Sequence, residues 1–251
     1  TRPDEQAVSS LFEELEFRRM AESFKKIFAP TSTSKTPKEK VPAKPSQEGE
    51  QFDLFAAPGS GTITESNVDA RKNLKNNAHW YQHVNSKLAK AQLLKELLQQ
   101  KSVCFDTETT SLNALEAELV GIAFSWSKGK GYYLSLPEDK TELLEILEPF
   151  KAFFEHPEIE KIGHNLKYDL KVLRNYDIQV SAPLFDTMIA HYLINPDMRH
   201  NMDILAETYL NYSAQSITEL IGKKGKNQGT MRAVPLEQQT EYAVEDADIT
   251  L

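Results

Sequence analysis

The chain has 251 residues, 40% hydrophobic and 26% charged, enough for one substantial globular domain and further segments. Acidic residues outnumber basic ones by 37 to 29, and the net charge of −8 excludes nucleic-acid binding through bulk positive charge, so any such contact must be local or metal-assisted. No apolar run approaches the roughly 20 residues of a bilayer-spanning helix and no signal peptide is visible; the single cysteine, Cys104, excludes an internal disulfide, and no membrane partner and a reducing cytoplasm are expected.

Taken in order, Leu11, Phe12, Leu15, Met20, Phe24 and Ile27 recur at helical spacing, and Ser10 with Glu13 reads as a capping box. One helix cannot bury its own stripe. It is expected to close a domain lying upstream or to dock on another surface, and the absence of an initial Met suggests a fragment. Beyond Pro30 the composition turns to Pro, Lys, Ser, Thr and Gly, which predicts a flexible linker. Within it Gln51-Phe52-Asp53-Leu54-Phe55 forms an apolar knot. That knot either folds back on its own domain or serves as a linear motif, since it resembles the Gln-x-Asp-Leu-Phe peptides that bacterial proteins insert into the sliding clamp. In the second reading Leu54 and Phe55 anchor the peptide and Gln51 makes the polar contact. The expected division is residues 1–29, a linker over 30–75, and a globular domain over 76–251.

The globular part begins with a strand at Trp80 to Val84 and a helix from Ser86 to Leu98. Three strands follow with short connections, the acidic one within Val103 to Thr110, then Leu119 to Trp126 and Tyr132 to Leu136, and these predict antiparallel hairpins. Glu142 to Phe154 has a helical pattern that Pro149 bends or splits. Ile159 to Ile162 and Pro183 to Phe185 read as short strands, Asn165 to Asn175 and Thr187 to Ile194 as helices, and Met202 to Leu251 as mostly helical. A strand meander followed by strands alternating with helices predicts an α/β fold with a mixed β-sheet flanked by helices.

The chemistry concentrates at Asp106-Thr107-Glu108. Side chains alternate along a strand, so the two carboxylates project from one face, where they repel unless a cation shares them. Asp169 is expected in the first turn of the helix that Asn165 would cap, near the positive end of the helix dipole. Tyr242 and Asp246 are four residues apart on the last predicted helix and share a face about 40° wide, whereas Asp248 lies roughly 200° from Asp246 and should face elsewhere. Each of these has an ordinary reading as a surface acid or a helix-end acid. Together, Asp106, Glu108, Asp169 and Asp246 are too many negative charges for one pocket without divalent cations, and an all-oxygen donor set favours Mg²⁺ or Mn²⁺ over zinc. Two such ions suit in-line displacement at phosphorus, with Tyr242 orienting the attacking water.

These residues carry a resemblance. Phe105-Asp-Thr-Glu-Thr, Asn165-Leu-Lys-Tyr-Asp, Phe185-Asp-Thr-Met, Met202-Asp-x-Leu-Ala, Gly225-Lys-Asn-Gln and Tyr242-Ala-x-Glu-Asp-Ala-Asp over residues 76–251 resemble the proofreading 3′–5′ exonuclease domain of family A polymerases, the bacterial DNA polymerase I group. The resemblance implies a ribonuclease H-like fold, and a three-Asp, one-Glu site with a tyrosine: Asp106, Glu108, Asp169, Asp246 and Tyr242. It implies two Mg²⁺ or Mn²⁺ ions, with zinc tolerated in one site, and a single-stranded 3′ DNA end as substrate. Residues 1–29 resemble the end of a 5′-nuclease domain, a polymerase domain would follow in cis, and the exonuclease domain would be cut short at its last helix.

By the same comparison Leu112 wedges against terminal bases, and Thr109, Asn165, Lys167, Tyr168 and Arg199 make substrate or supporting contacts. Lys226, with Lys223, Lys224 and Arg232, makes a basic loop read either as a solvated turn or as a clamp on three or four nucleotides of single strand. Asp186 and Asp203 sit at predicted helix starts and read as caps. The alternatives that remain are a ribonuclease D-like RNA 3′ exonuclease and a catalytically weak tethering module that binds the sliding clamp.

Overall fold

The computed structural model describes residues 5–14, 24, 71–223, 225 and 228–251. These fall into two units, taken separately. In the first, a helix spans Glu5–Glu14, so Ser10 lies inside it rather than at its cap, and Phe12 meets Phe24 edge-to-face at 6.0 Å. The Gln51–Phe55 segment lies outside the described residues.

The second unit is built on a six-stranded sheet. Its strands are β1 (Trp80–Val84), β2 (Ser102–Thr109), β3 (Leu119–Ser127), β4 (Lys130–Ser135), β5 (Glu160–Gly163) and β6 (Leu184–Asp186), ordered β1-β4-β3-β2-β5-β6. β2, β3 and β4 form the predicted antiparallel meander, while β1 adds parallel to β4 and β5 and β6 add parallel beyond β2. The mixed α/β sheet therefore forms as its sequence pattern predicts. The helix before β2 runs Lys87–Leu97, with Ser86 accepting from the Ala89 N–H. Pro149 does split the next helix: Lys140–Leu147, a 3-10 turn at Glu148–Phe150, then Lys151–Phe154.

Alternation on β2 divides the core into two layers. Val103 and Phe105 join the larger cluster with Phe150, Phe153, Phe154, Leu166, Val172 and Leu173, so the helices Lys140–Phe154 and Lys167–Arg174 cover that face. Cys104 points the other way, to Ala123, Tyr133, Ala243, Val244 and Ala247 beneath the last helix, Leu236–Thr250. That helix comes close to β4 at Gly131, where a Cβ would stand 2.4 Å from Val244 Cγ1. The close approach brings Tyr242 and Asp246 over the end of β2.

The paired structure starts earlier than residue 76. Lys72 bridges Tyr212, and Arg71 meets Glu207 at 2.8 Å. The segment from Met202 is less helical than its pattern predicts, with helices at Met202–Leu205, Ala206–Leu210 (π) and Ile217–Ile221, then irregular chain and a 3-10 turn at Met231–Ala233 before the last helix.

Candidate active site

β2 is central in the sheet and ends on its two acids. Asp106 pairs in register with Ala123 and Glu108 with Gly121, and a bulge between Glu108 and Thr109 ends regular pairing there. Tyr133 stacks over Gly121, where a Cβ would meet its hydroxyl at 2.2 Å, so only glycine fits behind Glu108. Asp106 and Glu108 share the Cys104 face, and the last helix delivers Asp246 to them. Carboxylate oxygens of Asp106, Glu108 and Asp246 all lie within 4.8 Å of one another.

Asp169 stands outside that set. It comes from the first turn of the helix on the opposite face, and its Oδ1 accepts from the Thr107 N–H at 3.1 Å and the Thr107 hydroxyl at 2.5 Å. It remains close enough to act on Asp106 by charge.

Burial and mutual repulsion govern the electrostatics. Asp106 is pushed well above the usual carboxylate range by burial, then by Asp169 and Asp246; Glu108 by burial, then by Asp106 and Asp169; Asp246 by burial, then by Glu108 and Glu245. Asp169 is pushed up to about 7 by burial, opposed by its hydrogen bonds from Thr107. Tyr242 is pushed far above its ordinary value by burial, then by Asp246, Glu108 and Asp106, so its phenol keeps its proton. Glu108 Oε1 is buried without a hydrogen-bond partner. A buried, unpartnered carboxylate oxygen beside two further carboxylates, with no cationic side chain in the cavity lining among the described residues, is a donor set that fits hard divalent cations.

The acids open into a cavity of about 580 Å³. Thr109, Leu112 and Tyr168 line it, Leu112 being 87% exposed at its mouth. Thr109 Oγ1 meets the Tyr168 hydroxyl at 2.6 Å, and Tyr168 also donates to the Ser111 carbonyl. The far wall comes from Ile217, Ile221, Gln228, Thr230 and Met231; Gln228 ends the Gly225-Lys-Asn-Gln stretch that carries the resemblance, but sequence reasoning gives neither it nor the other four a role at the site. Ile217 and Ile221 fall in the stretch read only as mostly helical, and nothing local shows which surface they face.

Several expected residues lie elsewhere. Arg232 does not join a basic loop: it turns inward and donates to the carbonyls of Leu119 at 2.7 Å and Leu136 at 3.3 Å. Asn165 does not cap its helix; it sits in the left-handed region at φ 63°, and Leu166 occupies the cap position. Asp186 accepts from the backbone N–H groups of Asn165 and Leu166 as well as from Met188 and Ile189, serving two helix starts at once. Asp203 lies in the first turn of its short helix and makes no cap; Asn201 precedes it. Arg199 and Lys167 are exposed and outside the acid cavity, as is half-buried Asn165. Asp248 faces away as expected, accepting from Tyr81 and the Gly129 N–H. Lys226 lies outside the described residues.

The 3′–5′ exonuclease family of family A DNA polymerases matches residues 81–251. The chain belongs to that family. DNA polymerase I of Borreliella burgdorferi is 33% identical over 221 residues, covering 86% of this chain and 23% of that protein. The Pseudomonas aeruginosa DNA polymerase I is 36% identical over 167 residues, 63% of this chain and 18% of its own length. The chain thus spans about a quarter or less of the curated relatives it matches. Among solved structures, Escherichia coli RNase D superposes with a TM-score of 0.54 at 22% identity over 67% of this chain and 42% of that one. Brucella melitensis NrnC bound to pGG gives 0.53 at 21% identity over 69% of this chain and 77% of that one. The exonuclease domain of this chain therefore has the ribonuclease H-like fold of such nucleases.

Proposed function

We propose that the domain is a two-metal 3′–5′ exodeoxyribonuclease that removes mispaired 3′ ends and releases deoxynucleoside monophosphates, as one part of a DNA polymerase I. The observation that carries this reading is the convergence of Asp106, Glu108 and Asp246 within 4.8 Å in a chain of the exonuclease family. Asp106, Glu108, Asp246 and Asp169 would hold Mg²⁺ or Mn²⁺. When bound, such ions offset the carboxylate charge and stabilise the charge that develops at the phosphate.

The chain's own residues do the rest. Tyr242, kept protonated, positions a water by hydrogen bond rather than acting as base. The water oxygen bonds to the terminal phosphorus and gives up one proton to solvent, the bond from phosphorus to the 3′-oxygen of the preceding nucleotide breaks, and that oxygen takes up one proton from solvent, so that one water is consumed per nucleotide released. Leu112 and Tyr168 at the cavity mouth press against the last bases, so the site accepts only frayed single strand. Mismatched ends fray at lower cost, which selects errors without reading sequence.

Degradation of matched deoxy- and ribo-oligonucleotides in Mg²⁺ tests the reading. Release of deoxynucleoside monophosphates from the 3′ end supports it; preference for the ribo-oligonucleotide would assign a ribonuclease D-like role instead. Residues 1–29 are read as the end of a 5′-nuclease domain and 30–75 as a linker. Its Gln51–Phe55 peptide is proposed to engage the sliding clamp, and Leu54→Ala with Phe55→Ala should abolish clamp binding.

A further inference from the structure

A second cavity, of about 650 Å³, lies between the helices Lys167–Arg174 and Thr187–Ile194, beside the edge strand β6. Lys167, Lys171 and Arg174 all line it, spaced i, i+4, i+7 along one face over about 10 Å. All three are exposed, and none forms a salt bridge among the described residues. On a chain of net charge −8, three unpaired cations on one groove call for an anionic occupant. The helix dipole accounts for Lys171 and Arg174 in the last turn but opposes Lys167 in the first. The one acid in the lining, Asp186, has its carboxylate turned into two helix ends. The opposite wall offers exposed Phe185 as an aromatic face. Continuity matters as well: Tyr168 lines the acid cavity, and Lys167, the residue before it, begins the stripe.

We propose that this groove carries the single strand running away from the acid cavity, with phosphates on Lys167, Lys171 and Arg174 and a base stacked on Phe185. This rests on the nuclease reading above. It adds an extended binding track that single-strand recognition by charge and stacking would build.

The test measures fluorescence anisotropy of labelled dT4 and dT10, each with a 3′-terminal phosphorothioate to slow hydrolysis, in Mg²⁺ over a KCl series, with the whole 251-residue chain. Wild type should bind dT10 at least about 10-fold more tightly than dT4, with a steeper salt dependence. Lys171→Glu with Arg174→Glu, at exposed positions, should remove that gain. It should also lower the log–log salt slope for dT10 by about 1.4, two phosphates at about 0.7 each, and leave dT4 affinity and dT4 digestion unchanged. Lys171→Gln with Arg174→Gln should fall between the two. An unchanged dT10 slope and affinity in the charge-reversed protein, with dT4 still digested, overturns the track and leaves the groove to an apolar protein partner. Failure of wild type to bind or digest either oligonucleotide overturns the nuclease reading as well.

Discussion

Thr107 holds Asp169 through two donors on one oxygen, its backbone N–H at 3.1 Å and its hydroxyl at 2.5 Å. Thr107 lies between Asp106 and Glu108 on β2 and so points to the opposite face, where the helix bearing Asp169 packs. One short stretch thus presents two acids directly and fixes a third from the other layer.

Removing the hydroxyl tests that arrangement. Thr107→Val keeps the shape and the Thr107 backbone donor but removes the hydroxyl that donates to Asp169. Mn²⁺ affinity, followed by titration calorimetry, should fall roughly 10- to 100-fold. Thr107→Ser should restore it. Equal affinity in the valine and wild-type proteins would show that Thr107 does not position Asp169.

The raised carboxylates set a pH dependence. Burial and repulsion raise Asp106, Glu108, Asp246 and Asp169, so in the folded protein they keep protons to higher pH than in the unfolded chain, and their contribution to stability is fullest at low pH and is lost as pH rises. With EDTA the melting temperature should drop between about pH 4, the ordinary carboxylate value, and about 7, the value for Asp169. Mg²⁺ or Mn²⁺ should remove most of that drop by stabilising the ionised forms. A melting temperature that rises over this interval in EDTA would contradict the assignment of a repelling acid cluster.

Tyr242→Phe removes the proposed water-positioning hydroxyl and little else. Single-turnover rates on a single-stranded substrate should fall about 10²-fold with oligonucleotide affinity unchanged. An unaltered rate would remove Tyr242 from the chemistry.

Asp186 offers the opposite case, an acid whose work is structural. Asp186→Ala leaves four backbone N–H groups at two helix starts without their acceptor and should destabilise the domain by about 2–3 kcal/mol, two caps at about 1 kcal/mol or more each. Chemical denaturation measures the loss, while Mn²⁺ binding to the folded fraction should match wild type.

Most of the fold could be read from the sequence because its signals are local. The alternating strand at residues 102–109 put Asp106 and Glu108 on one face, and the four-residue spacing put Tyr242 with Asp246 and turned Asp248 away. What escaped depends on distant partners. Arg232 reads as a surface cation until the Leu119 and Leu136 carbonyls, side by side where β3 begins and β4 ends, draw it inward. Asn165 has the composition of a cap, yet the left-handed turn at φ 63° hands that role to Asp186, about 20 residues later. Ser10 and Glu13 have the spacing of a capping box, but that helix begins at Glu5. Thr107 could be assigned its face from the strand period, but only the packing of the helix on that face supplies its carboxylate partner.

The most direct measurement is digestion of a 5′-labelled primer with a mismatched 3′ end annealed to its template, in Mg²⁺, in Mn²⁺ and in EDTA, for wild type and Asp106→Ala. Metal-dependent shortening from the 3′ end, faster for the mismatched than for the matched primer and reduced at least about 10³-fold in the variant, is the predicted result. Equal digestion by wild type and Asp106→Ala, or undiminished digestion in EDTA, would contradict a metal-dependent exonuclease built on Asp106, Glu108 and Asp246.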